Sequence, residues 1–522
     1  MTQSVPVATN IGSLVAVLLT QFEPFEISEM DGDNNSRYDR QLRLWAASGQ
    51  SLLEASHVCL INATSLGCEA LKNLVLPDDA KVGAMDLSSN FFLTEADLDC
   101  PRASAVLRNL LELNPNVSGN ALVCDPVSKL SDIGFWEGFS VVIVCGGHSS
   151  TVDSLSDLLW SLKIPFIRLL LSGFYGSIKV NVPEKALTDS HMELKGDLRL
   201  DQPWPKLLQH VNAIAFEELD DTEHAHIPPI VIVVKAFQKW KNETKCFPEN
   251  RKEKEELRLA IGSLQRSTNE QNFDEAVDLA RKLTNSKKIV LPLKPYLTML
   301  NDIDWNSNIS PFWFYLLALK QFLDQNNGLP PLSGDLPDMA SDTKSYIILQ
   351  RLYREKAEED FLKFHAILHD LLRELEKSVE EFTDETSRLF CKNSRQVIVQ
   401  HGTHHQVSKK LENENDDIMK AIYLCLLATT ETNHTQKASL EDIERFVKSS
   451  CERYTITLSD ETLESVSEEV IRTYGSETAN IASFMGGIAA QEVLKQLTNQ
   501  YVPLDNCLVF DGIRSVTSSF EV

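Results

Sequence analysis

The sequence predicts a doubly wound, Rossmann-like α/β body, built from both ends of the chain and interrupted by a large, mainly helical insertion. Three observations carry this reading. A compact apolar run at 57–61 (HVCLI) leads into a short polar turn at 62–65 and then a segment of helical composition at 67–76 (GCEALKNLVL). Strand, tight turn and helix in that order open a parallel sheet covered by helices. Continuous apolar runs recur at 141–145 (VVIVC), 164–171 (IPFIRLLL) and 178–182 (IKVNV), the pattern of strands buried on both faces. From about 197 the texture turns to long polar helices, and near the C-terminus it returns to the first kind.

Taken in order, residues 1–36 contain no Lys or Arg, and 11–19 is a short apolar run. A secretory signal needs a basic start before such a run, and a membrane span needs about 20 apolar residues. These residues are therefore expected to be a disordered extension. Structure is expected from Arg37, with a short helix over 38–45 (YDRQLRLW) that places Leu42 and Trp45 on one face. A helix over 152–162 separates the later strands. The insertion carries helices near 251–260, 312–323, 346–372 and 418–427, the first with Arg251 and Lys252 four residues before Glu255 and Glu256. The segment 477–497 puts Ile481, Met485, Ala489, Val493 and Leu497 on one stripe, reinforced by Phe484 and Ile488, and a short strand follows at 507–510. The expected division is an extension at 1–36, an α/β body at 37–190 with 470–522, and the insertion at 191–469. No repeat of solenoid period is present.

The chain has 522 residues, of which 43% are apolar, and 75 acids against 50 bases give a net charge of -25. Such a field repels phosphate backbones, so no nucleic-acid partner is expected, and no membrane partner either. Ten cysteines include no C-x-x-C pair, which argues against a zinc cluster or a disulfide framework and for reduced thiols in the cytoplasm or nucleus.

A nucleotide-binding turn after the first strand needs G-x-G-x-x-G, because the middle glycine lets backbone approach a phosphate and the last allows close helix packing. The six positions here are Asn62, Ala63, Thr64, Ser65, Leu66 and Gly67. Only the packing glycine remains, and Thr64 brings a β-branched side chain where phosphate would come closest. Two readings fit: a degenerate nucleotide turn, or an ordinary strand–helix connection. Asp86 falls about 20 residues on, where a ribose-binding acid would sit. There is no P-loop, H-E-x-x-H or G-x-S-x-G. His224 and His226, or His401, His404 and His405, lack the nearby cysteines or spaced carboxylates of a metal site, so no metal is expected.

The run 37–45 (RYDRQLRLW), followed by 57–77 (HVCLINATSLGCEALKNLVLP), resembles the opening of the Rossmann-like adenylation fold of ubiquitin-like-modifier activating enzymes. Further blocks narrow the resemblance: DLRLDQPWP (197–205), HAHIPPIVIVVK (224–235), LPPLSGDLPDMASDT (329–343), YIILQRLYREKAEED (346–360), FCKNS (390–394) and ASFMGGIAAQEVLKQLTNQYVP (482–503). They are similar to the regulatory subunits that serve neddylation, with the SUMO-pathway regulatory subunits and a catalysis-independent adaptor as alternatives. A stand-alone NAD(P)-dependent oxidoreductase is disfavoured by the missing glycines. The resemblance implies the inactive half of the adenylation fold, whose degenerate loop is Asn62, Thr64 and Gly67. It implies a heterodimer in which this chain binds no cofactor and the catalytic partner holds ATP and magnesium. A ubiquitin-like modifier, and through the complex a conjugating enzyme, would be further partners.

The resemblance also gives residue roles. Arg40 would act in trans on the partner's nucleotide phosphates. His226 and the run Gly334, Asp335, Leu336, Pro337, Asp338, Met339, Ala340, Ser341, Asp342, Thr343, Lys344, Ser345, Tyr346 and Ile347 would form the partner interface. The residues Pro337, Asp338, Met339 and Ala340 lie in a Pro/Gly-punctuated loop, where core residues are not expected. The insertion would be a vestigial catalytic-cysteine domain, with no thioester role for Cys391. The segment 78–89 is shorter than the family pattern, so the second strand and its terminal acid are expected only as a stub around 81–86.

Overall fold

A computed structural model of the chain describes residues 32–70, 75–78, 80–113, 118–191, 197–244, 246–283, 285–286, 291–305, 309–404, 406–431 and 438–522. The chain divides into two units, 1–187 with 399–522 and 188–398. Most of the predicted extension lies outside the described residues; its last part, from Gly32, begins a helix.

Among the described residues the first unit contains an eight-stranded sheet. Its strands are β1 (Val58–Ile61), β2 (Val75–Pro77), β3 (Asn120–Leu122), β4 (Val141–Cys145), β5 (Phe166–Ser172), β6 (Tyr175–Asn181), β7 (Cys507–Asp511) and β8 (Val516–Phe520). Their order is β8-β7-β6-β5-β4-β1-β2-β3. The five strands from β3 to β5 run parallel, and β6, β7 and β8 extend the sheet antiparallel. β1, β4 and β5 read as apolar runs because helices cover both of their faces.

The principal helices described in this unit are α1 (Gly32–Glu54), α2 (Ser65–Ala70), α3 (Arg102–Leu113), α4 (Ser149–Ser161), α5 (Asp417–Ala428), α6 (Leu440–Tyr454), α7 (Asp460–Arg472) and α8 (Ala479–Thr498). α1 runs past the predicted 38–45 at both ends and breaks at Ala46, where φ is 56°. The α8 stripe of Ile481, Met485, Ala489, Val493 and Leu497 packs with α2, α3 and the sheet into one core. Val152, Leu155 and Leu159 of α4 fill the opposite face with Cys59, Val142, Val144 and Phe166.

Three expectations are corrected. The segment 67–76 is not one helix: α2 covers Ser65–Ala70, and Val75–Pro77 is β2, paired with β1 through Cys59 and Val75. A short apolar run fits a helix or a buried strand equally well, and here the parallel pairing prevails. The expected strand stub at 81–86 contains only a bridge from Lys81 to Pro101, and the short helix Ala84–Ser89 occupies the rest. The insertion ends near 398 rather than 469, since α5, α6 and α7 belong to the α/β unit. α5 is buried from Met419 to Ala428 and packs on Leu170, Tyr175, Cys507 and Val509.

The second unit is mainly helical. Its principal helices are Pro229–Thr244, Arg251–Gly262, Gln271–Arg281, Pro311–Gln325, Thr343–Glu374 and Asp384–Asn393. One core joins Ile230, Val234, Leu257, Ile261, Phe273, Leu349 and Tyr353. Of the expected pairs on Arg251–Gly262, Lys252 meets Glu256 at 3.9 Å, while Glu255 pairs with Arg258 instead of Arg251.

Candidate functional site: a nucleotide turn filled by the protein's own carboxylates

The turn between β1 and α2 lies at the carboxyl ends of the parallel strands, where doubly wound folds place their ligands. Asn62 adopts φ 66°, a left-handed conformation that asparagine tolerates better than most residues. Its Nδ2 donates to the Cys145 carbonyl at 2.8 Å, tying the turn to β4. The Thr64 hydroxyl accepts from Gly67 N at 3.4 Å, in the manner of an N-cap. Gly67 is a packing glycine, as its position in the motif predicts: a Cβ there would stand 2.8 Å from Cys145 Sγ and 3.0 Å from Leu60 Cδ1.

Two of the donors that a phosphate would use are already taken. Ala63 N donates to Asp78 Oδ2 at 3.0 Å, and Leu66 N donates to Glu477 Oε2 at 2.9 Å. A helix N-terminus is an anion site by virtue of its free N–H groups and dipole, and here the anion is a side chain from 411 residues away. Asp78 closes β2 and is 1% exposed. It also accepts from Ala80 N at 2.9 Å and from Arg102 Nε at 2.7 Å and Nη2 at 3.3 Å. Arg102 donates through Nη1 to Asp86 Oδ1 at 3.0 Å, and Asp86 Oδ2 accepts from Gly83 N at 2.9 Å.

Burial disfavours the Arg102 charge, but its hydrogen bonds to Asp78 and Asp86 and their charges outweigh that and hold its pKa above the usual value. Burial raises the Glu477 pKa against the opposing hydrogen bonds from Leu66 and Thr64 and the Arg102 charge. Sequence reasoning missed Asp78 and Glu477. An acid placed directly after the apolar LVLP run was the available signal for the first, and nothing local marks the second.

A cleft of about 1020 Å³ opens beside the turn, lined by Ile61, Asn62, Thr64, Asp78, Arg102, Cys145, Gly146, Gly147 and Glu477 among others. The ligand position of the fold thus persists as space. Its lining sets Asp78, Asp125 and Glu477 against Arg102, so a polyphosphate meets repulsion, and Ala63 N and Leu66 N of the turn are already engaged.

Residues 38–522 match the ThiF family. The NEDD8-activating enzyme E1 regulatory subunit of Caenorhabditis elegans is 31% identical, with 94% of this chain and 99% of that protein covered. The protein of the same name from Gallus gallus is 31% identical, covering 93% and 98%. The Arabidopsis thaliana regulatory subunit AXR1 is 30% identical, covering 92% and 94%. The chain belongs to the NEDD8-activating enzyme E1 regulatory subunits, within the ThiF family.

In this regulatory subunit Arg40 is exposed on α1. Asp39, its sequence neighbour, pairs with Arg43 at 3.0 Å. Arg40 itself has no ion pair or hydrogen bond among the described residues, and it does not line the cleft of its own chain.

In the helical unit, the run from Gly334 to Ile347 is a loop followed by the start of Thr343–Glu374, capped by the Asp342 carboxylate on Ser345 N at 2.9 Å. Burial pushes the Asp342 pKa up, but hydrogen bonds from Ser345 and Lys344 and the nearby His226 bring it below its usual value. The structure therefore brings His226 to the same place as this run. Gly334 has φ 79°, and a Cβ there would come 2.9 Å from Ala357 Cβ, so the loop passes the helix at glycine-only distance. Pro337, Asp338, Thr343, Lys344 and Ile347 are exposed. The expectation of a loop without core residues is corrected, because Leu336 and Met339 pack against the unit's core.

Cys391 is buried, and burial raises its thiol pKa, which disfavours the nucleophilic thiolate. His224 is buried against Glu270 at 2.6 Å and stacks on Phe273. His404 packs on Trp160, His401 is exposed, and His405 lies outside the described residues.

Proposed function

We propose that this chain is the regulatory half of a heterodimer that activates a NEDD8-type modifier, and that it contributes to adenylation without holding the nucleotide. The observation that carries this reading is the filled turn, in which Asp78 and Glu477 occupy two of the N–H groups that a phosphate would need. ATP and magnesium, together with the cysteine that forms the thioester, belong to the catalytic partner. Arg40, exposed on α1 and without an ion pair among the described residues, is available to that partner's polyphosphate. There the modifier's terminal carboxylate attacks the α-phosphate, pyrophosphate leaves, and a guanidinium steadies the developing charge. The exposed face around Pro337, Asp338, Lys344 and His226 supplies part of the partner surface. The acidic, reduced chain works in the cytoplasm or nucleus.

The test is reconstitution. The chain is co-purified with a catalytic subunit, and ATP-dependent thioester formation on the modifier is measured with and without it. Isothermal titration of the isolated chain with magnesium–ATP is run alongside. The reading requires thioester formation that depends on both chains and no measurable heat from the isolated chain. Thioester formation by the catalytic subunit alone, or a micromolar nucleotide site on this chain, would sink it. Asp338→Lys, at an exposed position, is expected to weaken co-purification while leaving the melting curve unchanged.

A further inference from the structure

The helical unit holds a pair of side chains that the proposed function does not use. His365 and His369 lie one turn apart on Thr343–Glu374, with their Nε2 atoms 3.0 Å from each other. Their ring centroids are 4.2 Å apart, with the planes tilted by 51°. Asp384, in the first turn of Asp384–Asn393, brings Oδ1 to 3.3 Å from the same His365 nitrogen. Two imidazole nitrogens and a carboxylate oxygen therefore gather at one spot between two helices.

The spacing suits a cation. With metal–nitrogen bonds of about 2.0–2.1 Å, neighbouring donors stand roughly 2.9 Å apart in an octahedral shell and roughly 3.3 Å apart in a tetrahedral one. Histidines at i and i+4 on a helix face are a recurrent zinc-binding arrangement. The nearest cation, Arg388, is held by Glu358 through two hydrogen bonds and lies over the Phe361 ring at 3.8 Å.

We propose that His365 and His369 chelate one borderline divalent transition-metal ion, of the zinc or nickel class, with Asp384 as the adjacent carboxylate. Among the described residues no group of three His, Cys, Asp or Glu side chains is placed to hold a metal ion together, so Asp384 is a neighbour of the pair and not a third ligand. The site is therefore an open two-imidazole chelate whose shell is completed by water. Both rings must carry their proton on Nδ1, so the ion replaces the single hydrogen bond that the facing Nε2 atoms otherwise share. The bound ion draws the start of Asp384–Asn393 toward the middle of Thr343–Glu374.

The experiment titrates the full chain, stripped of metal and kept reduced, with zinc chloride against a chromophoric chelator, and repeats it with nickel chloride. Wild type is expected to show one saturable site and a melting temperature that rises with metal. His365→Ala and His369→Ala should each weaken that site by roughly 10- to 100-fold, and Asp384→Asn by less. Alanine suits a helix interior, and His369→Gln provides a second variant with nearly unchanged bulk, to be judged alongside circular dichroism melts. The proposal is overturned if wild type shows no saturable site below about 100 μM metal, a level at which mass action would hardly stabilise the fold. It is equally overturned if the His365→Ala/His369→Ala double variant binds as tightly as wild type, which would place the ion on cysteines instead.

Discussion

Replacing Asp78 with alanine is the sharpest test of the claim that the turn is braced by its own charges. The carboxylate accepts four hydrogen bonds, two from backbone N–H groups and two from Arg102. Its loss leaves the Arg102 guanidinium, 15% exposed, with Asp86 at 3.0 Å as its remaining ion-pair partner. Removing one member of a buried pair costs about 3–5 kcal/mol, because an uncompensated charge stays behind. Asp86 retains part of the pairing, so the expected loss is at the lower end, about 3 kcal/mol. For a unit of this size that corresponds to a drop in melting temperature of roughly 5 °C. Asp78→Asn keeps the shape and one acceptor, and should lose only about 1–2 kcal/mol. Adding Arg102→Met to Asp78→Ala removes the stranded cation and should recover much of the loss, which a double-mutant cycle from urea unfolding would report. If Asp78→Ala falls within about 1 kcal/mol of wild type, or if Arg102→Met deepens the loss, the cluster does not brace the turn and the reasoning fails.

Three further outcomes are expected. Arg40→Ala should slow pyrophosphate exchange by the reconstituted heterodimer roughly 30- to 1,000-fold, the effect of losing one charge-assisted contact in a transition state. Arg40→Lys should recover part of that rate, and Arg43→Ala should behave as wild type; equal rates for Arg40→Ala and wild type refute the contribution in trans. Lys179 is 2% exposed, and burial pulls its pKa down to about 7 from 10.5. The unfolded chain thus holds this proton to higher pH than the native one, and stability gains a component that rises from about pH 7 toward 10.5. Lys179→Met should therefore stabilise most below pH 7 and flatten that rise, as urea midpoints across the range would show. Gly67→Ala must place its Cβ 2.8 Å from Cys145 Sγ, and overpacking of this kind should lower stability by about 1–3 kcal/mol in the same assay.

The central strands were legible because burial on both faces writes them as unbroken apolar runs, as at Val141–Cys145. The lost phosphate glycines could be read at Asn62 and Thr64 for an equally local reason. β2 escaped because three apolar residues following α2 carry no period of their own. The boundary of the insertion was misplaced because helical texture does not say which core a helix covers. α5 did hold a clue, since a helix apolar on every side is buried on every side, and DIMKAIYLCLLA is such a helix. Glu477 could not have been found by inspection, because its partner Leu66 is remote in sequence and a carboxylate resting on an N–H leaves no pattern along the chain.

The pairing of β6 with β7, from Tyr175 with Asp511 to Lys179 with Cys507, sets an order of events on the ribosome. At about 5–20 residues per second, the roughly 330 residues between the two strands take on the order of 15–65 s to emerge. Throughout that interval β6 presents an open backbone edge, and Leu66, Cys68 and Ala70 of α2 lack the α8 helix that later covers them. The stretch 188–398 is continuous and has its own core, so it can close while the sheet waits. A nascent chain paused before residue 479 therefore carries a finished middle and an unfinished beginning. Its exposed strand edge is the surface that a holding chaperone would meet.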